Sequence, residues 1–193
     1  MRVLIIGGVA AGATAAARAR RLDENADITV LERGPYVSYA NCGLPYFISR
    51  DIEQRNKLLL QTPEGFDGRY KVKVRVDTEA LEIDRAGRRV KVKSRGLEEW
   101  LPYDKLLLAQ GGSPIRPPLP GADQPHVFTL WTVPDMDRLH TFIEEAKPEH
   151  AVVVGGGFIG LEMAEALHAR KVKTTVVELA PSVLGVMDRE FGR

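Results

Sequence analysis

Two stretches of the chain, 148 residues apart, repeat one pattern of apolar and polar positions. Val3-Leu4-Ile5-Ile6 is a short, continuously apolar run, as expected of a strand buried on both faces. A glycine-rich turn follows, then an alanine-rich helix from about Gly12 to Leu22, then a second strand, Ile28-Thr29-Val30-Leu31, ending at Glu32. Val152-Val153-Val154, a second glycine-rich turn, a helix from about Gly160 to Arg170 and a strand from Thr174 to Val177, ending at Glu178, repeat it. Gly7 matches Gly155, and Gly12 matches Gly160. Strand, crossover helix and strand imply a parallel sheet in each copy.

The intervening residues differ in character. Ser38 to Tyr46 reads as a loop, with Pro45 in the first turn of a short helix. From Lys71 to Arg95, valines alternate with lysine and arginine, and Asp84-Arg85-Ala86-Gly87 is a turn signal, which predicts an antiparallel meander with one wet face. Leu106 to Ala109 reads as another buried strand, and Ile115 to Pro125 as a Pro-rich connector. Thr132 and Asp135 have the spacing of a helix start, with Pro134 in the first turn and Pro148 beyond the end.

Composition narrows the function classes. The 193 residues carry 27 basic and 26 acidic side chains, a net charge of +1, and are 44% apolar. That balance gives no electrostatic reason to expect nucleic acid or anionic lipid as a partner, and the basic residues of the meander read as a solvated face. No apolar run is long enough for a transmembrane helix. Val3 to Ala17 has the look of a secretory signal, but the repeat also accounts for Gly7, Gly12 and Glu32, which a signal does not. One cysteine, Cys42, excludes an internal disulfide and a multi-cysteine metal site. It is either a buried structural thiol or a reactive one in a reducing compartment, the cytoplasm.

The glycine turns carry the clearest chemistry. Gly155-Gly156-Gly157-Phe158-Ile159-Gly160 is a full G-x-G-x-x-G between strand and helix, with Glu178 lying 18 residues beyond it. The first glycine permits the tight turn, the second the approach of a pyrophosphate, and the third the packing of helix on strand. The helix N-terminus offers amide hydrogens to phosphate, and the acid accepts ribose hydroxyls. Glu178 favours NADH, because it repels a 2′-phosphate; Lys171 and Lys173 keep NADPH open. The first copy, Gly7-Gly8-Val9-Ala10-Ala11-Gly12 with Glu32 20 residues on, has valine where the middle glycine belongs. Two such units in one chain suggest a flavin in one and a nicotinamide in the other, so that hydride passes between them. Cys42, ahead of a predicted helix start, stands where a thiolate is stabilised.

Gly7 to Gly12, Glu32, Ser-Tyr-x-Asn-Cys-Gly-Leu-Pro-Tyr at 38–46 and the second glycine turn together resemble the single-cysteine branch of the pyridine nucleotide-disulfide oxidoreductases. The cysteine loop is most similar to coenzyme A-disulfide reductases and to NADH-dependent persulfide or polysulfide reductases. The resemblance implies a Rossmann-like α/β fold with an inserted antiparallel meander. It implies FAD at Gly7, Gly8, Gly12, Glu32, Arg33, Ala80, Ala109 and Gly111, with Gln110 departing from the family's usual residue. It implies NADH or NADPH at Gly155, Gly157, Ile159, Gly160, Glu162 and Glu178. Cys42 is the implied redox centre, flanked by Ser38 and Asn41. Thr14, Arg18 and Arg21, which share one helix face, match positions that contact coenzyme A; a family lysine falls near Tyr70 and is absent here. The implied reaction is reduction of coenzyme A disulfide, persulfide or polysulfide by a homodimer, without metal. An NADH oxidase or peroxidase working through a cysteine sulfenic acid is the alternative.

The organisation expected from the repeat is a flavin domain over residues 1–148 and the start of a nicotinamide domain over 149–193. The second unit is incomplete by this reading. A downstream flavin motif and the dimerisation domain of the resembled family are not found within Met1 to Arg193, so the sequence reads as the front part of a longer protein or as a non-catalytic fragment.

Overall fold

The computed structural model describes residues 1–185 and Met187. Packing divides the chain into two compact units. The first holds Met1–Ala40 and Leu58–Ser113; the second holds Asn41–Lys57 and the chain from Pro114 onward. The boundary at residue 148 is a division by copies of a motif, whereas these units are a division by backbone proximity.

The first unit is built on a parallel sheet of order β3-β2-β1-β7. Its strands are β1 (Arg2–Ile6), β2 (Asp27–Leu31), β3 (Val72–Arg75) and β7 (Lys105–Leu108). The apolar runs of β1 and β2 are continuous because both faces are covered. On one face, Ala13 and Ala16 of α1 (Ala10–Leu22) meet Ile5, Ile28, Val30 and Val72, joined by Phe66 of α3 (Pro63–Tyr70). On the other face, Leu4 and Leu31 pack under Val90, Val92 and Tyr103. Each fully buried valine here contributes about 1.5–3 kcal/mol relative to an exposed one. Arg20 pegs the end of α1 by donating to the carbonyls of Tyr70 (2.8 Å), Lys71 (2.7 Å) and Glu24 (2.6 Å).

Val90 and Val92 belong to a three-stranded antiparallel meander of β4 (Thr78–Asp84), β5 (Arg89–Ser94) and β6 (Leu97–Pro102). Its basic outer row is matched within the sheet. Arg89 bonds Asp84 at 2.8 Å and lies 4.4 Å over the Trp100 ring, and Lys91 pairs with Glu98 at 2.7 Å.

Two sequence expectations are corrected here. The valine–lysine alternation at 72–75 is no part of the meander: β3 pairs in parallel with β2, Ile28 opposite Val72. Val72 and Val74 pack toward α1 while Lys73 reaches Asp27 on the open side, so an edge strand of a parallel sheet alternates as a meander strand does. The strand at 106–109 is not buried. β7 is the outer strand beside β1, and Leu107 and Leu108 are exposed. β6 was also not expected from sequence.

The second unit contains the repeat's other copy. β8 (His150–Val154) and β9 (Lys173–Val177) pair in parallel, bridged by α5 (Phe158–Ala169). Val152, Val154 and Val177 remain exposed on this two-stranded sheet. Helix α2 (Leu44–Ser49) packs against both α5 and α4 (Val133–Ala146). α4 starts at the expected capping box, with Thr132 N–H donating to Asp135 at 2.8 Å. Glu144 of α4 accepts from Arg50 (2.9 Å) just beyond α2 and from Arg170 (2.5 Å) at the end of α5, and Arg170 also donates to the Ile48 carbonyl at 3.0 Å. Among the described residues, no helix is long and apolar enough to cross a membrane.

The edge strand β7 is anchored by Asp104, whose carboxylate accepts from the Arg2 guanidinium (2.9 Å) and the Arg2 N–H (2.7 Å). The Arg2 side chain, then its backbone N–H, holds the Asp104 carboxyl down to about 2. A depressed carboxyl stabilises the fold above its unfolded value near 3.9, and that contribution is lost as pH falls toward 2. Asp104→Asn is expected to lose less stability between pH 4 and pH 2 than the parent chain, as read by urea titration at each pH.

Candidate functional site

The first glycine turn is fixed by sterics. Gly7 leaves β1 at φ +100°, and its N–H bonds the Leu31 carbonyl at 2.8 Å. A Cβ at Gly7 would stand 2.1 Å from the Ala109 carbonyl oxygen, so the Ala109-Gln110 backbone closes directly on the turn. A Cβ at Gly12 would stand 1.8 Å from the Gly7 carbonyl oxygen, well inside any permitted contact. Only glycine lets α1 approach this closely. Glu32, at the end of β2, receives the Gly8 N–H (2.9 Å) and the Gly34 N–H (2.8 Å) on its two oxygens.

The second turn reproduces these features except the backbone closing on the first glycine, since a Cβ at Gly155 would meet nothing within 4 Å. Gly155 has φ +108° and bonds the Val177 carbonyl at 2.8 Å. A Cβ at Gly160 would lie 1.9 Å from the Gly155 carbonyl oxygen. Glu178 receives the Gly156 N–H (2.6 Å) and the Ala180 N–H (2.8 Å). The Ala180 and Gly156 amides hold the Glu178 carboxyl below the ordinary carboxylate range, because hydrogen bonds to the charged form favour it. An ionised carboxylate has about four acceptor sites, so each glutamate keeps capacity for two further donors. Neither α1 nor α5 has a side-chain cap or an acid in its first turn. Their leading N–H groups, and the positive end of each helix dipole, are therefore open to an anion.

The remaining expected residues fall into the two units as follows. In the first, Arg33 is exposed and donates to Ser113 Oγ at 3.2 Å, and Ala80 sits where β4 breaks register against β5. Gly111 has φ +66°. Thr14, Arg18 and Arg21 are exposed on α1, whereas Arg20 between them is structural. Ser38 has φ 47° and its carbonyl accepts from Leu60 N–H at 2.9 Å. In the second unit, Gly157 caps α5, Ile159 is exposed and Glu162 half-buried on that helix. Cys42 is exposed in a single 3-10 turn, Asn41–Gly43, that leads into α2, with Asn41 exposed beside it. The buried-thiol reading is thereby excluded. Leu44, Pro45 and Ile48 anchor α2 beneath the loop. Among the described residues, no group of three or more His, Cys, Asp or Glu side chains could hold a metal ion.

Sequence reasoning missed Val37 and Val183. Their side chains stand 3.0 Å and 2.7 Å from where a Cβ on Gly8 or Gly156 would lie. The signal was present: Glu32-x-x-Pro35-x-Val37 recurs as Glu178-x-x-Pro181-x-Val183.

Comparison with known proteins agrees with this geometry. A family model described as pyridine nucleotide-disulphide oxidoreductase matches residues 1–193. A coenzyme A disulfide reductase of Staphylococcus haemolyticus is 34% identical over 100% of this chain and 43% of its own length. An NADH oxidase of Methanocaldococcus jannaschii is 35% identical over 95% of this chain and 41% of its own length. The solved structure of reduced Bacillus anthracis CoADR-RHD superposes with a TM-score of 0.96 at 43% identity, covering 99% of this chain and 35% of that one. The chain thus spans less than half the length of these relatives.

Gly12→Ala and Gly160→Ala are expected to destabilise the chain by about 3 kcal/mol each, the upper range for overpacking. Chemical denaturation of each variant checks this, and a near-neutral effect at either site contradicts the close approach seen here.

Proposed function

The chain belongs to the pyridine nucleotide-disulphide oxidoreductase family, and from that premise we propose that it provides the nucleotide-binding and thiol portions of a reductase that uses NAD(P)H and FAD to reduce a small sulfur substrate at Cys42. The observation that carries this reading is the glycine–glutamate ring built twice in one chain that also carries one exposed thiol.

The residues present suit two dinucleotides. A pyrophosphate needs amide donors without a side chain in the way, and a ribose needs a carboxylate with spare acceptor sites. Both turns offer both. In this reading Gly7, Gly8, Gly12 and Glu32 hold FAD, with Arg33, Ala80, Ala109 and Gly111 as further contacts. Gly155, Gly157, Ile159, Gly160, Glu162 and Glu178 hold NADH. The doubly bonded, ionised Glu178 favours a free 2′-hydroxyl over a 2′-phosphate. When bound, FAD supplies a two-electron carrier between nicotinamide and sulfur.

Cys42 is the nucleophile. Its thiolate attacks one sulfur of a disulfide; the substrate S–S bond breaks, a mixed disulfide forms on Cys42, and the other half leaves as a thiolate that takes a proton from water. Two electrons from NADH then return Cys42 to the thiolate and release the second half as a thiol. One protein cysteine suffices because the second sulfur belongs to the substrate. By family resemblance, Asn41 and Ser38 flank the reacting sulfur, and Thr14, Arg18 and Arg21 bind coenzyme A.

A second reading has support in the similarity to an NADH oxidase. There the Cys42 thiolate takes one oxygen from a peroxide, whose other oxygen leaves as water, and two electrons from NADH return the sulfenic acid to the thiolate with release of a second water.

The test starts from the visible absorption of the purified chain reconstituted with FAD, followed anaerobically as NADH is added. A flavin spectrum that bleaches with NADH is expected. Cys42→Ser should keep the flavin and reduce turnover of coenzyme A disulfide to background; undiminished turnover in that variant overturns the assignment of Cys42. Peroxide consumption with NADH as sole reductant, with a trapped sulfenic acid at Cys42, selects the second reading instead.

A further inference from the structure

The internal repeat continues past the two glutamates. Beyond Glu32, Val37 lies against Gly8, and Ser38, at φ 47°, donates its N–H to the Gly8 carbonyl at 2.8 Å. Beyond Glu178, Val183 lies against Gly156, and Leu184, at φ 51°, donates its N–H to the Gly156 carbonyl at 2.9 Å. These loop residues match at an offset of 146, whereas the glycines match at 148. The second copy is two residues shorter between glycine turn and glutamate, yet both copies close the same loop.

The second copy is the more telling. In the left-handed region the Cβ of any L-residue crowds the neighbouring carbonyl, and leucine has no polar side-chain group to bond its own backbone in compensation. Such strain persists only where the surroundings over-determine it, and it concentrates at ligand clamps. Here the surroundings are one peptide. Gly156 donates its N–H to Glu178 and accepts the Leu184 N–H on its carbonyl, so it ties both ends of the 178–184 loop. Gly156 has no room for a Cβ, because Val183 occupies that space. The loop, the glycine and the glutamate therefore form one closed ring.

We propose that Val183 and Leu184 are positioning residues of the second nucleotide site, locking the loop that aims the Glu178 carboxylate at the ribose of a bound dinucleotide, as Val37 and Ser38 do for Glu32. This rests on the reading of Gly155 to Glu178 as the nicotinamide nucleotide site. The lock acts through Glu178 rather than by touching ligand. Its signature is therefore the titration midpoint of Glu178, which the Ala180 and Gly156 amides hold below the ordinary carboxylate range.

Three variants of the full 193-residue chain test it: Leu184→Pro removes the N–H and forbids positive φ, Leu184→Gly keeps the N–H and relieves the strain, and Val183→Ala opens the space at Gly156. Carboxyl-detected NMR titration reads the Glu178 midpoint, calorimetry with NADH reads affinity, and thermal melts read stability. Leu184→Pro should raise the Glu178 midpoint by about half a pH unit or more and weaken NADH about tenfold. Leu184→Gly should retain both values and melt no lower than the parent. Val183→Ala should shift both readings in the same direction by less, and it decides the matter if Leu184→Pro fails to fold. A Glu178 midpoint unmoved in Val183→Ala and in folded Leu184→Pro overturns the lock. A parent chain that binds no NADH, while its Glu178 midpoint still responds to Leu184→Pro, overturns the nucleotide reading and leaves the lock standing.

Discussion

A single repulsive contact organises each half of this chain. An α-carbon of a helix sits against the carbonyl oxygen of the turn that precedes it, with no space for one more atom. That contact sets how closely α1 lies on its sheet and α5 on its own. It fixes where each helix begins and how its leading amides are presented. The sheet register, the placement of the glutamate at the next strand's end and the backbone bonds to its carboxylate follow from this one approach. Attraction fills in the rest: alanines on α1 and β-branched residues on the strands complete a core whose geometry repulsion has already chosen.

This is also why the two turns were legible in sequence. Steric exclusion leaves a residue-level trace, because only glycine satisfies it. The glutamates were legible for a related reason, since each must end a strand at a fixed distance past the helix. β3 was not, because alternation reports how many faces of a strand are covered, not which strand it pairs with. Val72 and Val74 are buried on one side only, and their parallel partner β2 lies more than forty residues away in the chain. β6 was missed because Glu98, Glu99 and Trp100 are chosen for cross-strand partners, Lys91 among them, rather than for intrinsic strand preference. β7 was read as buried because an apolar run does not reveal that its outer side is open.

The site residues divide along the same line. Glycines and acids that serve the backbone can be found by pattern. Val37 and Val183 can be found only by aligning the chain with itself through a change of offset. Arg20 shows the converse: one of three neighbouring arginines on α1 is a structural peg, and spacing alone does not separate it from Arg18 and Arg21. The exposure of Cys42 likewise arises from a turn whose neighbours, not whose own sequence, decide whether a thiol is covered.

The bonds converging on Glu144 have a practical corollary. They bind the short helix after Cys42 to the far end of the helix that opens at the second glycine turn. A helix of six residues is too short to persist alone, so its place depends on that junction and on the packing around it. The thiol and the second turn consequently belong to one packed piece. Because the chain has no other cysteine, a fluorophore or spin label attached at residue 42 is a native reporter on that piece, requiring no engineered attachment point and no removal of competing thiols.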